Sequence, residues 1–223
     1  MPILTEAPPL TALARPWQAP ACTLGLFLSL LHPGLPGQLG AQTEAESTVI
    51  TVRIETEFGP IEAELYPERA PLTVANFLRY LEMGVYEGAV FHRSVRDDNQ
   101  PGDSIRIRVI QGGPDPARFT DTPEPLPPIL LERTSITGLR HQDGTLSMAR
   151  STPDSARSSF FICIDDQPEL DYGGRRNPDG QGFAAFGRVT EGMDVVRIIH
   201  AAQVQEQALV PPVRILRIVR TDP

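Results

Sequence analysis

From residue 47 onward, polar and apolar positions alternate at nearly every step. "STVITVRIETEFGPIEAELYP" (47–67) has this period of two with Gly59-Pro60 at its middle, which predicts a β-hairpin with one buried face. The spacing then changes. In "APLTVANFLRYLEMGVY" (70–86), Val74, Phe77, Leu78 and Leu81 recur at helical intervals and Gly84 supplies a stop. Short apolar runs predict strands around 88–93, 105–110, 144–149, 158–164 and 183–189. A second helix is predicted over 190–202, with Thr190 as its N-cap and Val195, Val196 and Ile199 facing inward. "VRILRIVRT" (213–221) alternates again and predicts a closing strand. Residues 113–128 carry too much proline for regular structure, and 165–182 form a long loop of turn dipeptides. Many short strands with two helices predict a mainly β fold, a closed barrel capped by the helices.

The first 41 residues follow another pattern. They hold one arginine, one acid and seven prolines around the apolar run "ACTLGLFLSLL" (21–31). This is the layout of a secretory signal, with cleavage expected after Ala41; the run is short for a membrane span, which needs about 20 residues. An uncleaved anchor or a misassigned start is the alternative. The expected organisation is a signal peptide or anchor over 1–41, a linker over 42–48 and one domain over 49–221. The expected location is periplasmic or secreted.

Composition narrows the chemistry. The net charge is −8, and all 20 basic residues are arginine. No concentrated basic patch stands out, which argues against a nucleic-acid partner. A monomer with at most peripheral membrane contact is expected. Cys22 and Cys163 are the two cysteines; Cys163, inside "FFICI", reads as a small buried hydrophobe. Four histidines without regular spacing predict no metal site. The carboxylates Asp165, Asp166, Glu169 and Asp171 read as a solvated loop, not as an acid–base pair.

Five segments occur together: "FHR" (91–93), "QGG" (111–113), "GTLSMA" (144–149), "SSFFICI" (158–164) and "FAAFGRVTEGMDVV" (183–196), with "NF" at 76–77 ahead of them. In order and spacing the chain resembles the cyclophilin-type peptidyl-prolyl cis-trans isomerases over about residues 49–221, in a divergent bacterial, exported branch. The resemblance implies a closed eight-stranded antiparallel barrel with a proline-binding groove on its outer face. It implies Arg93 as the catalytic arginine and Gln111 as the glutamine that steadies it. It implies Phe161 and Val109 as the floor for the proline ring, with Phe91, Ala149, Arg150, Leu170 and Phe183 also contacting the peptide. It implies proline-containing segments of folding proteins as partners, and no cofactor. His92 is expected to face away from Arg93, because neighbours on a strand point to opposite faces.

Several positions depart from the family's pattern. Arg108 stands where an aromatic is usual, Arg150 replaces an asparagine, Ser159 a glutamine and Glu169 a tryptophan. Residues 94–108 also carry an insertion. These changes motivate the alternative of a non-catalytic barrel that binds proline segments. Arg108 and Arg150 together raise the expectation of a preference for acidic peptides.

The chemistry itself is undemanding in residue types. Rotation about a peptide bond faces a barrier of about 18–20 kcal/mol, set by resonance. The X–Pro isomers differ by only about 0.5–1 kcal/mol and exchange over tens of seconds or longer. A catalyst must hold the ring and favour the twisted state, in which the nitrogen regains its lone pair. Arginine can donate to that lone pair and stays protonated at working pH.

Overall fold

The computed structural model describes residues 48–115 and 124–221. The expected signal and nearly all of the linker lie outside the described residues. Among the described residues, nine strands, all paired antiparallel, run as β1 (Ile50–Thr56), β2 (Gly59–Leu65), β3 (Val90–Val95), β4 (Val109–Gly113), β5 (Thr145–Met148), β6 (Phe160–Cys163), β7 (Ala184–Glu191), β8 (Val204–Gln205) and β9 (Ala208–Arg220). Eight of them close a ring in the order β1-β2-β7-β5-β6-β4-β3-β9, with β9 returning to β1; β8 is a two-residue appendage on β9. The predicted eight-stranded barrel is therefore present. Strand β4 starts at Val109, where the sequence had suggested 105. Strand β9 starts five residues before the expected 213.

Alternation along each strand splits the apolar residues into two clusters. Val52, Ile54, Ile61, Leu65, Ile110, Leu146, Met148, Phe160, Ile162 and Phe186 fill the barrel. Val95, Val109, Phe161, Cys163, Leu170 and Phe183 form a second cluster on the outer face, with Ile107. All four residues of β5 and of β6 are buried, because the long loops cover the outer face there.

Helix α1 (Pro71–Glu82) stacks Phe77 on Tyr86, Phe160 and Phe186, at centroid distances of 5.1, 5.7 and 5.4 Å. No side chain at its own N-cap serves its first amides. The Glu132 carboxylate does so from 60 residues away, accepting from the N–H of Leu72 (3.1 Å) and of Thr73 (2.8 Å). A short turn of helix, α2, spans Thr134–Thr137. Helix α3 (Met193–Ala201) buries Val195, Val196 and Ile199 as expected, but its N-cap is Gly192 and not Thr190. The reason is local: β7 runs on to Glu191, and the reversal needs a φ of +87°, where a Cβ would also meet the Pro60 carbonyl oxygen at 2.5 Å.

Candidate active site

Strand β3 carries a bulge that sets up the site. Phe91 pairs with Gly112 and Arg93 with Gln111, so two steps along β3 correspond to one along β4. Without the bulge, Phe91 and Arg93 would share a face. With it, Phe91 turns into the barrel, fully buried against Phe160, and Arg93 turns outward. Phe91 is therefore a core residue and not a peptide contact, and the expectation for it is corrected. His92 is not among the residues of the groove; it lines a separate concavity with Asp98, Asn99 and Gln207, which Arg93 also borders. Gly112 is required here, since a Cβ would meet the Phe91 ring at 2.7 Å.

Arg93, Val109, Gln111, Ala149, Arg150, Phe161, Leu170 and Phe183 line one cavity of about 550 Å³. Eight of the nine predicted site residues are thus brought together. The floor is apolar: Phe161 and Phe183 meet edge to face at 5.4 Å, over Val109 and Leu170. Arg93 stands at its edge, half-buried. Its Nη1 donates to Gln111 Oε1 (3.0 Å), and its Nε donates to Gln207 Oε1 (2.9 Å), as does its Nη2. Burial first, then the nearby Arg176 guanidinium, lower the Arg93 pKa from its ordinary value. An arginine lowered in this way still carries its proton at neutral pH.

The departures from the family pattern fall into place as internal contacts. Arg150 exposes none of its side chain; it forms a bidentate pair with Asp179 (2.8 and 2.9 Å) and donates through Nε to the Gly182 carbonyl (2.8 Å). Its guanidinium carbon lies 5.0 Å from the Phe183 ring centre. Arg150 lines the groove as a stacked plate, with all three nitrogens already donating to the protein. Arg108 pairs with Asp165 at 2.7 Å, and Glu169 with Arg175 at 3.0 Å. Neither arginine offers an unneutralised charge to an acidic peptide. Ser159 lines the cavity wall.

Residues that sequence reasoning missed complete the site. Arg176, only 15 % exposed at its side chain, bonds Asp103 (2.9 Å) and the Ile105 carbonyl (2.7 Å) and forms one wall. Asn177, Arg157 and Glu124 lie on the same walls. Asn76 of the "NF" pair donates to the Arg157 carbonyl (2.6 Å), tying the groove to α1. Beneath the floor, His141 stacks on Phe161 and bridges Asp171 (Nδ1, 2.8 Å) and Ser147 (Nε2, 2.9 Å). An ionised Asp171 only accepts, so a neutral His141 donates from Nδ1 and accepts a hydrogen bond from the Ser147 hydroxyl at Nε2. These are isolated polar residues in loops or apolar strands, and neither periodicity nor spacing marks them. Cys163, buried in the floor, has its thiol pushed well above the ordinary value by burial.

The geometry supplies a clamped cation at the rim of an apolar ring-sized floor. It can seat a proline ring and donate to the nitrogen of the preceding bond. Comparison with known proteins gives the family. The family model for cyclophilin-type peptidyl-prolyl cis-trans isomerase matches residues 51–220. The peptidyl-prolyl cis-trans isomerase cyp18 of Streptomyces antibioticus is 40% identical over 153 residues, covering 67% of this chain and 82% of the relative. Peptidyl-prolyl cis-trans isomerase A of Dickeya dadantii is 38% identical over 164 residues, covering 72% and 76%. A crystal structure of a cyclophilin-type isomerase of Cryptosporidium parvum superposes with a TM-score of 0.64 over 79% of this chain and 99% of its own, at 23% identity, which speaks to the fold. The chain belongs to the cyclophilin-type peptidyl-prolyl cis-trans isomerases.

Proposed function

We propose that Arg93 is the catalytic group of this isomerase and that the Phe161–Val109–Leu170–Phe183 floor receives the proline ring. The observation that carries this reading is the placement of a clamped, half-buried guanidinium at the edge of that apolar floor. A hydrogen bond to the prolyl nitrogen favours the twisted, pyramidal state over either planar isomer, which is what lowers a resonance barrier. The donor acts most strongly where water is largely excluded. An acceleration of about 10⁵ corresponds to roughly 7 kcal/mol of such preference. Exchange of an Ala–Pro peptide measured by NMR tests this. Arg93→Ala should slow exchange about 10²–10³-fold while circular dichroism stays unchanged. An Arg93→Ala protein as fast as the wild type would refute the assignment.

Proline-containing segments are the substrates, and we place the work outside the cytoplasm as an aid to folding of exported proteins, acting as a monomer. The charge and apolar pattern of residues 1–41 supports that location. Fractionating cells and sequencing the mature N-terminus checks it. A chain starting at Gln42 in the exported fraction is expected; an intact chain in the cytoplasm would overturn it.

A further inference from the structure

We propose that Gln207 is a positioning residue for Arg93, acting with Asn99 to hold the guanidinium so that only its Nη1 and Nη2 donors face the groove. The inference rests on Arg93 being the catalytic group. Gln207 follows the left-handed Glu206 (φ 58°) in the two-residue turn between β8 and β9. Its neighbour Ala208 is the residue paired with Arg93 across β3 and β9. From there its side-chain oxygen accepts from both Nε and Nη2 of Arg93, and Gln111 accepts from Nη1 on the other strand. Of the five guanidinium N–H groups, three are thereby committed to the protein. One hydrogen on Nη1 and one on Nη2 remain for a substrate.

The clamp is itself held. Gln207 Nε2 donates to the Asn99 carbonyl (3.0 Å), which settles the amide with its oxygen toward Arg93. The Gln207 carbonyl accepts from the Ser94 N–H (2.9 Å). Asn99 in turn donates from Nδ2 to the Ser94 carbonyl (2.9 Å) and to the Glu206 carbonyl (3.0 Å). The insertion after β3 and the β8–β9 turn are therefore stitched together directly behind the catalytic side chain. A flexible arginine otherwise samples many rotamers, and ordering it only when substrate arrives would cost catalysis.

Three variants of the full chain separate the possibilities: Arg93→Ala, Gln207→Met and Gln207→Glu. Each is read by X–Pro exchange rate, by affinity for the same peptide, and by the ¹⁵N signal of the Arg93 Nε–Hε group. Gln207→Met should slow exchange about 10- to 100-fold, with affinity within about twofold and the Arg93 signal broadened. Gln207→Glu retains an oxygen acceptor, so it should sharpen that signal again and recover more of the rate than methionine does. A Gln207→Met rate within about twofold of wild type, or a slow Gln207→Met with an unchanged Arg93 signal, would overturn the proposal. So would a Gln207→Glu protein no faster than Gln207→Met. If Arg93→Ala itself keeps the wild-type rate, the failure lies with the catalytic assignment and not with the clamp.

Discussion

At the scale of single residues, most of the unusual side chains in and under the groove turn out to be satisfied internally, and this makes their behaviour calculable. His141 is the clearest case. Burial holds its pKa below the ordinary value near 6.5, against the opposing pull of the Asp171 carboxylate. The unfolded chain therefore takes up this proton before the folded one does as the solution is acidified. The stability contributed is fully present above about pH 6.5 and is lost as the pH falls below it. Replacing His141 with Asn should lower stability at neutral pH, since Asp171 and Ser147 lose their shared partner. It should also flatten the decline between pH 7 and pH 5 by up to about 1.4 kcal/mol per pH unit. Thermal melting across that range decides it; parallel curves for the two proteins would show that His141 does not titrate in the way argued. Arg150 and Arg108 lead to a second expectation. With Asp179 and Asp165 already paired to them, a glutamate beside the proline should change peptide affinity by less than about twofold, within the range of exposed charge contacts. A clear gain from glutamate would mean that these pairs open on binding.

At the scale of elements, the site depends on one irregularity in β3. The bulge at His92 lets Phe91 reach the core while Arg93 reaches the groove, and Gly112 on β4 leaves room for the Phe91 ring. Gly112→Ala should force that ring or the bulge to move, destabilising the fold by about 1–3 kcal/mol as overpacking does. The isomerisation rate should fall as well, because Arg93 is two residues from the displaced ring. Denaturant midpoints and exchange rates measured on the same sample check both effects, and a variant with wild-type stability would disprove the crowding argument. The elements themselves were legible from alternation and helical spacing, because one buried face imposes a period on the sequence. The bulge was not. A bulge adds one residue to one strand only, and a single chain read alone carries no register against its partner. That is why the sequence alone places Phe91 in the groove. Local preference likewise makes Thr190 a cap, whereas the length of β7 moves the helix start to Gly192.

At the scale of the whole molecule, two long segments beside the groove hold each other. Arg176 of the 165–182 loop reaches Asp103 and the Ile105 carbonyl of the 94–108 segment, and Arg108 reaches back to Asp165. These contacts bury the outer cluster of Val95, Ile107, Phe161 and Cys163. Arg176→Ala should cost about 1–2 kcal/mol, seen as a drop of roughly 2–8 °C in Tm for a chain of this size, and should weaken peptide binding. An unchanged Tm would show that the loops stand without this link. The sequence by itself determined the barrel and the two helices, because periodicity is a local property of the chain, and its ordered motifs carried the family resemblance that implied eight groove residues. Only the tertiary structure decided which face Phe91 takes, that Arg150 and Arg108 are neutralised, and that Gln207 and Arg176 stand beside Arg93. Those facts follow from ring closure and loop packing, which bring together residues as far apart as Arg93 and Gln207; no local pattern encodes which distant side chain will meet which.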